Sequence, residues 1–492
     1  MIDAVSWATA TPELLLLGMA CVIALYDLFV DSPLRDSTYR LTQLTLAVVA
    51  ALEGYLAASG QTLTGFGGMI VSDPMGAWLK CFATLALMVT LVYARAYAAA
   101  RDMLRGGELF TLSMFALLGM FIMISGHHFL VIYLGLELLT LSSYALVALR
   151  RDEVRATEAA MKYFVLGALA SGFLLYGLSL VYGATGSLHV PSVAQAVATG
   201  VREPLVLTLG VVFVVAGLAF KLGVVPFHMW VPDIYHGAPT AITVLVGGAP
   251  KLAAFAILVR LLAEALPSVA ADWASMLAVL AVLSLLVGNL AAVAQRNVKR
   301  MLAFSTIAQM GFMLLALVGG LGKGAAGAGP AWGAAMFYVV TYVLTTLATF
   351  GVMLLLTRAG FESEELEDFA GLNQRSPLYA GVMAACLFSL AGVPPLVGFY
   401  AKLAVLQALL EVGQGAYVGL AVFAVLASLV GAFYYLRLVK VMYFDAPVQT
   451  APIEAPPAMR AVLSLNGALV LVLGMVPGGL MALCVQAVRA VL

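Results

Sequence analysis

Long uninterrupted apolar stretches dominate this chain of 492 residues. Hydrophobic residues make up 63% of it and charged residues only 10%, and the mean hydropathy is +1.05. Because a soluble globular chain carries about 25% charged residues, this sequence cannot cover itself with a polar surface in water. Composition therefore excludes a soluble enzyme, a secreted disulfide scaffold and a disordered chain. Continuous rather than alternating apolar runs predict an all-α polytopic membrane protein and not a barrel.

Charge and cysteine usage narrow the possible partners and cofactors. The 25 basic and 25 acidic residues balance, so net charge gives no argument for nucleic acid as a partner. The lipid bilayer is the expected environment. The cysteines stand singly and form no Cys-x-x-Cys motif, so we expect no iron–sulfur cluster or zinc site in this chain. The first residues carry no basic segment, so no cleaved signal peptide is expected.

Fourteen apolar segments approach or exceed the roughly 20 residues that a membrane helix needs. They are predicted at residues 12–30, 40–58, 74–98, 107–125, 128–149, 156–183, 204–227, 239–265, 272–294, 299–320, 329–357, 377–411, 416–443 and 459–488. Sixteen Lys and Arg residues lie in connections after odd-numbered segments, and the opposite side holds only Arg202, Lys323 and Arg489. The positive-inside rule therefore predicts those connections in the cytoplasm and both termini outside.

Four charged residues stand in the apolar centres of segments, and they are the candidate functional residues: Glu137, Lys221, Lys251 and Lys402. A charge at the middle of a membrane helix costs roughly 2.5–3.5 kcal/mol on insertion scales. Such residues either mark an ion or proton path or form buried ion pairs that only fix helix packing. One carboxylate cannot neutralise three lysines, so some lysines must be neutral or share a proton. That arrangement suits a proton relay and not a metal-ion cage, which needs clustered oxygens.

Other charges have a simpler explanation. Glu158 and Lys162 are spaced i, i+4, which predicts either a helix-stabilising ion pair or a pair that tunes the central charges. Lys80 and Arg260 are predicted to extend towards a helix end. The acidic run at residues 361–369 is predicted to be a solvated cytoplasmic connection.

Proline and glycine interrupt two apolar segments. A Gly-Val-Val-Pro run ends at Pro226 in the seventh segment, and Gly-Val-Pro-Pro ends with Pro394 and Pro395 in the twelfth. Paired interruptions in two halves are typical of transporter sites, although membrane helices also tolerate proline and glycine generally. The five-segment offset predicts broken helices 7 and 12 within two inverted five-helix repeats, helices 4–8 and 9–13. The resulting units are 1–106, 107–271, 272–445 and 446–492.

These residues together resemble the antiporter-like subunits of respiratory complex I, over essentially the whole chain. The resemblance is carried by Glu137, by Lys221 ahead of GVVPFHMWVPDIYHGAPT, by Lys251 and by Lys402 after GVPP. Within that family the subunit N branch is nearest, because subunit M typically has glutamate at the position of Lys402 and subunit L carries a long lateral helix. The resemblance implies that Glu137 and Lys221 form the charge-coupled pair of a first half-channel. It makes Lys251 a central relay and Lys402 the terminal site of a second half-channel.

The resemblance also implies the surroundings of the chain. It predicts a proton-translocating subunit of an NADH:quinone oxidoreductase, driven by quinone reduction elsewhere. No cofactor is expected here, because NAD, flavin, the iron–sulfur clusters and quinone would be bound by other subunits. Partners would be other membrane-arm subunits, including other antiporter-like ones. Two alternatives stay open: a subunit of a multisubunit sodium/proton antiporter, and a purely structural membrane subunit.

Overall fold

The computed structural model describes residues 3–321, 325–357, 361–448 and 453–492. Within these ranges the chain is a bundle of α-helices with one small β-hairpin, so the predicted all-α membrane class is confirmed. Two basic residues used in the sidedness count, Lys323 and Arg358, lie outside the described residues.

The elements follow one another along the chain with short connections. In order they are α1 (Ala4–Thr9), α2 (Thr11–Asp27), α3 (Asp36–Ser59), β1 (Leu63–Gly65), β2 (Ile70–Ser72), α4 (Pro74–Ala99), α5 (Glu108–Ser125), α6 (Phe129–Val147), α7 (Val154–Thr185), α8 (Val190–Thr199), α9 (Pro204–Leu222), α10 (Trp230–Gly237), α11 (Thr240–Gly247), α12 (Pro250–Leu258), α13 (Ala270–Val293), α14 (Val298–Leu321), α15 (Ala325–Leu356), α16 (Leu372–Arg375), α17 (Pro377–Ala391), α18 (Val397–Leu410), α19 (Gly415–Phe444), α20 (Pro457–Met475) and α21 (Gly478–Arg489). A π-helical stretch, Val259–Glu264, continues α12. Single 3₁₀ turns lie at Pro267–Val269 and Leu366–Phe369.

Every predicted apolar segment coincides with helix. Among the described residues, 12 helical stretches are long and apolar enough to cross a membrane. The first predicted segment forms α2, which has 17 residues. The twelfth forms two half-helices, α17 and α18, of 15 and 14 residues. These two segments account for the difference between the predicted fourteen and the 12.

The structure also contains features that the apolar pattern did not predict. The short elements α1, α8 and the β1–β2 hairpin are shorter than any spanning segment. The eighth segment is interrupted between α11 and α12 at Gly248, just before Pro250. The fourteenth is interrupted between α20 and α21, just before Pro477 at the start of α21. Both breaks precede a proline, which cannot donate to the preceding turn.

One end of the bundle, here called the hairpin face, gathers β1–β2 and the connections after α5 and α7. The His127 N–H donates to the Met69 carbonyl at 2.9 Å, and the Val190 N–H donates to the His127 carbonyl at 3.1 Å. The amino-terminal segment lies at the same end, where the Phe66 N–H donates to Ser6 Oγ at 2.8 Å. The connections that follow the second, fourth and sixth predicted segments therefore meet at one face of the bundle.

The opposite end, here called the arginine face, gathers the connections after α4, α6 and α15. There Arg101 pairs with Glu362 at 2.6 Å, and Lys299 pairs with Glu364 at 2.9 Å. Burial alone raises the pKa of the Glu364 carboxyl, but the Lys299 ammonium outweighs it and the pKa is lowered from its usual value. The acidic run is thus not simply solvated. Through its ion pairs it joins the connection after α15 to the connection after α4 and to the start of α14.

Lys80 and Arg260 do point towards helix ends at the hairpin face, but neither side chain reaches water. The Lys80 side chain is 2% exposed and pairs with Glu13 in the first turn of α2. The Arg260 side chain is 1% exposed and pairs with Glu264 at 2.7 Å and with Asp73, the residue before α4. Buried carboxylates, two of them far away in sequence, thus take the place of the solvent that the prediction assumed.

The predicted division into four units fits the helix boundaries only in part. The limits at 106/107 and 445/446 fall in connections, whereas 271/272 falls in the first turn of α13. The inverted repeat itself stays a prediction.

Close helix pairs depend on glycine. A Cβ placed on Gly135 of α6 would lie 2.6 Å from the Met123 backbone nitrogen of α5, and one on Gly177 of α7 would lie 2.6 Å from the Val214 nitrogen of α9. Small residues at such positions let membrane helices approach backbone to backbone.

Replacing Gly135 by leucine should therefore destabilise the protein by about 1–3 kcal/mol, because the added side chain has no space between α5 and α6. The matched control is Gly172→Leu, where an added Cβ meets no atom within 4 Å. The measurement is the thermal unfolding midpoint of the purified protein in detergent. Equal midpoints for the two variants would contradict this account of the packing.

Candidate functional site

Two half-helices end inside the bundle in the same way. Helix α9 ends at Leu222, and Gly223 follows with φ +77°; helix α17 ends at Ala391, and Gly392 follows with φ +89°. Each glycine takes a left-handed conformation that side chains rarely adopt. Three residues beyond each glycine comes a cis proline, Pro226 or Pro395. The predicted breaks in the seventh and twelfth segments are therefore present and alike.

Lys251 closes the first break. Its Nζ donates to the Leu222 carbonyl at 2.8 Å and to the Lys221 carbonyl at 3.3 Å, the last carbonyls of α9. The residue is 1% exposed, and its Nζ lies 5.3 Å from the centre of the Trp230 ring. A cation at a helix C-terminus is favoured by the helix dipole, and the aromatic face adds to that attraction.

Lys402 bonds the end of the helix at the second break, as Lys251 does at the first. Its Nζ donates to the Ala391 carbonyl of α17 at 3.1 Å and to Ser428 Oγ at 3.4 Å. It lies 4.9 Å from the centre of the Phe312 ring. In the first break the lysine comes from the next span, whereas in the second it comes from the second half of the same interrupted span. In both breaks a lysine amine thus donates to the last carbonyl of a half-helix, although the two lysines come from different positions in the chain.

Lys221 lies in the last turn of α9 and points to α6. Its Nζ donates to Thr140 Oγ1 at 2.7 Å, and Thr140 in turn bonds to the Leu136 carbonyl. Glu137 lies three residues from Thr140 on the same helix. Among the described residues no ion pair within 4 Å joins Glu137 to Lys221, although the two charges interact electrostatically. One carboxylate oxygen of Glu137 is buried without a hydrogen-bond partner in the part of the chain that the structure describes.

Lys221 and Lys251 line one cavity. It has a volume of about 20 Å³ and is bounded also by Ser143, Tyr163 and Trp230. A cavity of about 10–15 Å³ is enough for one water molecule. The cavity beside the two lysines is therefore large enough to hold one water molecule.

A polar layer on α14 and α15 extends to Lys402. The Tyr342 hydroxyl donates to Thr306 Oγ1 at 2.8 Å, and the Tyr338 hydroxyl donates to Gln309 Oε1. Gln309 Nε2 donates to the Leu390 carbonyl at 3.0 Å, one residue before the carbonyl that binds Lys402. Gln309, Tyr338 and Lys402 also share a cavity of about 10 Å³.

This layer was not predicted from the sequence. Its tyrosines, threonines and glutamine are uncharged, so they did not stand out against apolar segments as Lys and Glu did. One available signal was the recurrence of threonine and tyrosine every three to four residues along α15, at Tyr338, Thr341, Tyr342 and Thr345. The sequence analysis also did not predict the break of the eighth segment before Lys251. Gly247, Gly248 and Pro250 are residues typical of such a break.

Glu158 and Lys162 do pair, at 2.9 Å, but at the arginine face and with exposed fractions of 61% and 45%. Lys162 also pairs with Asp233 of α10 at 3.2 Å, and Asp233 pairs with Arg300 at 3.0 Å. These four residues link α7, α10 and α14.

In the described ranges no group of three or more His, Cys, Asp or Glu side chains is arranged to hold a metal ion. What the central residues can do is carry protons. The amines of Lys221, Lys251 and Lys402 donate to backbone carbonyls or hydroxyls inside the bundle. Glu137 interacts with Lys221 electrostatically, without an ion pair within 4 Å in the described ranges.

Comparisons with known proteins agree with this description. Residues 126–428 match the family described as "NADH:quinone oxidoreductase/Mrp antiporter, TM". The NADH-quinone oxidoreductase subunit N of Polaromonas naphthalenivorans (strain CJ2) is 66% identical, over 100% of this chain and 99% of the relative. That of Herminiimonas arsenicoxydans is 58% identical over 97% of each chain.

Solved structures repeat the fold. A chain in the structure titled "Respiratory complex I from Thermus thermophilus with bound Aureothin" superposes with a TM-score of 0.79 at 34% identity, covering 96% of this chain and 98% of the other. The interrupted helices and the row of buried lysines thus define an antiporter-like membrane subunit. The chain belongs to the NADH-quinone oxidoreductase subunit N family, and the nearest branch named from the sequence is confirmed.

Thr140→Val tests the contact that holds Lys221. The change removes the hydroxyl that accepts from Lys221 but keeps the shape of the side chain. A hydrogen bond to a charged group contributes about 1.5–3 kcal/mol, so proton pumping by the assembled complex should fall about tenfold.

The matched control is Thr208→Val, an exposed threonine on α9 that likewise bonds the carbonyl four residues earlier. It should pump at the wild-type rate. Equal pumping by both variants in equally assembled complexes would refute a functional role for Thr140.

Proposed function

We propose that this chain translocates protons in the membrane arm of NADH:quinone oxidoreductase, through Lys221, Lys251 and Lys402. One observation carries the proposal. Among the described residues, none of the three lysines has a carboxylate within 4 Å of its Nζ, and each is held by carbonyls or hydroxyls instead. Such a lysine can release its proton without leaving a buried carboxylate unpaired.

The relay runs sideways through the bundle. Lys221 and Lys251 exchange through their shared cavity, and the layer on α14 and α15 carries the proton on towards Lys402. Hydroxyl groups that both donate and accept are suited to this step, because each can pass a proton while receiving another. The Gln309 amide orients the Tyr338 hydroxyl by accepting its hydrogen bond.

Glu137 acts as the charge that biases Lys221. Since the two are not bonded, a small movement of α6 against α9 changes their separation and with it the energy of the protonated lysine. Glu158 and Lys162 act further out. Through Asp233 they fix α10, and so set the position of the broken helix that Lys251 caps.

The relay needs an external drive. Moving one charge across the membrane takes about 2.3 kcal/mol per 100 mV. In this proposal quinone reduction in other subunits supplies that energy, with NAD, flavin, iron–sulfur clusters and quinone all bound elsewhere. Neighbouring antiporter-like subunits of the arm are the partners that transmit it.

We further propose that the arginine face lies in the cytoplasm and the hairpin face in the periplasm, with both termini periplasmic. The test uses single cysteines in a chain whose natural cysteines are replaced by serine. Thr64→Cys in the hairpin should react with a membrane-impermeant maleimide in intact cells. Asp152→Cys, between α6 and α7, should react only after the inner membrane is opened. The opposite result would reverse the orientation.

Replacing each central lysine by methionine tests the relay. Lys221→Met, Lys251→Met and Lys402→Met should each lower NADH-driven proton pumping about tenfold or more, since a neutral side chain cannot carry the charge. The measurement is proton uptake by proteoliposomes containing the whole complex. The control is Lys440→Met, at an exposed lysine that pairs with Asp445.

The same variants separate the alternatives. A structural role predicts less assembled complex but normal pumping by what assembles. A sodium/proton antiporter predicts sodium-dependent proton flux without NADH. Full pumping by assembled Lys221→Met complexes would overturn the proposal.

A further inference from the structure

A second group of buried charges lies outside the relay, among the first four membrane helices. Lys80 of α4 stands between two carboxylates, 2.5 Å from Glu13 Oε1 of α2 and 3.4 Å from Glu53 Oε1 of α3. Ser125, the last residue of α5, donates to the same Glu13 oxygen at 2.7 Å. Lys80, Glu13 and Glu53 are here called the outer triad. It precedes the residues matched by the family, which begin at 126.

The charges of the outer triad do not balance. One ammonium faces two carboxylates, while Lys80 and Glu53 have side chains only 2% and 0% exposed. The other groups facing them are the Cys81 thiol, which donates to the Ala50 carbonyl, and the Phe121 ring, 5.2 Å from Lys80 Nζ. Neither supplies a second positive charge. An uncompensated charge buried at this depth is strongly unfavourable, and binding one proton removes it.

The two carboxylates differ in a way that assigns the proton. Glu13 lies in the first turn of α2, where the helix dipole favours a negative charge, and it accepts from both Lys80 and Ser125. Glu53 lies in the C-terminal part of α3, is fully buried, and makes only the longer contact to Lys80. Neither oxygen of Glu53 has a hydrogen-bond partner among the described residues, whereas only one oxygen of Glu13 lacks one. Glu13 is thus the carboxyl group better suited to be ionised, and Glu53 is the one better suited to hold the proton.

The outer triad also lies near the surface of the hairpin face. Ser125 is followed two residues later by His127, whose side chain is 15% exposed and pairs with Glu264 at 3.3 Å. Glu264 and Asp73 both pair with Arg260, and Arg260 Nε donates to the Ile124 carbonyl next to Ser125. Polar groups therefore continue from the outer triad to water on this side.

We propose that the outer triad is a proton-binding site, with one proton on Glu53 that exchanges with water at the hairpin face. The site is separate from the lysine relay and does not depend on it. It gives the chain a proton-holding group close to the side opposite the arginine face.

Infrared difference spectra between wild type and variant complexes count the protonated carboxyl groups of the outer triad. The signal is the carbonyl stretch of a protonated carboxyl group. Wild type should contain one such carboxyl that Glu53→Gln lacks. Glu13→Gln should lack it too, because Glu53 alone then neutralises Lys80. Lys80→Met should contain two, and Lys80→Arg should match wild type. The control Asp445→Asn, at a partly exposed carboxylate that pairs with Lys440, should change nothing in this spectral region.

Proteoliposomes test the exchange route. With the pH set separately on the two sides, the band should disappear when only the hairpin face is made alkaline and persist when only the arginine face is. An identical spectrum for wild type and Glu53→Gln would overturn the site, and a band that follows the arginine face would overturn the route. A Lys221→Met complex that has stopped pumping should keep the band, so failure of the relay and failure of the outer triad are distinguishable.

Discussion

The last carbonyls of α9 and α17 end inside the hydrocarbon layer, where water is not available to bond them. Lys251 and Lys402 satisfy these carbonyls, and the rest of the central architecture is arranged around that contact. Each break needs a glycine in the left-handed conformation to turn the chain, and an aromatic ring to cover the amine. The helix ends attract the cation strongly enough to bury it without a carboxylate. An unpaired buried amine is what a proton carrier requires.

The contact also explains why the helices are interrupted at all. A continuous helix consumes all its own carbonyls, so a lysine at the same depth would meet only apolar side chains. Interrupting α9 and α17 exposes backbone dipoles in the interior without adding a fixed negative charge. A carboxylate in their place would hold the proton on the lysine and prevent its release.

The sequence could predict those features that differ clearly from an apolar background. Fourteen segments, the breaks at Pro226 and Pro394, and the residues Lys221, Lys251 and Lys402 all contrast with their surroundings. The layer of Thr306, Gln309 and Tyr338 could not be predicted, because uncharged polar residues are common in membrane helices and become a chain only once α14 and α15 are side by side.

Long-range pairing was the other limit. Lys80 and Arg260 were each interpreted from their own helix, so extension to the nearest end was the natural prediction. Apart from Glu264, which is four residues from Arg260, their carboxylates come from α2, α3 and the residue before α4. Only the packed bundle brings these together. The Glu137–Lys221 pair shows the reverse case. The resemblance implies that the two residues are charge-coupled, and the structure shows that Lys221 donates to Thr140. In the described residues no ion pair within 4 Å joins Lys221 to Glu137, and the charge coupling itself stays a prediction.

Lysine occurs in this bundle in two electrostatic settings, and their difference separates holding a proton from passing one. In the outer triad Lys80 keeps its charge because two carboxylates surround it, so the exchangeable proton is on an acid. In the proposed relay Lys251 and Lys402 face carbonyl dipoles, so the exchangeable proton would be on the amine itself. Neutral dipoles bind a charged amine less firmly than a carboxylate does, so less interaction energy is lost when the amine gives up its proton. The smaller that loss, the smaller the movement of Glu137 that the proposed relay needs to shift a proton to the next group.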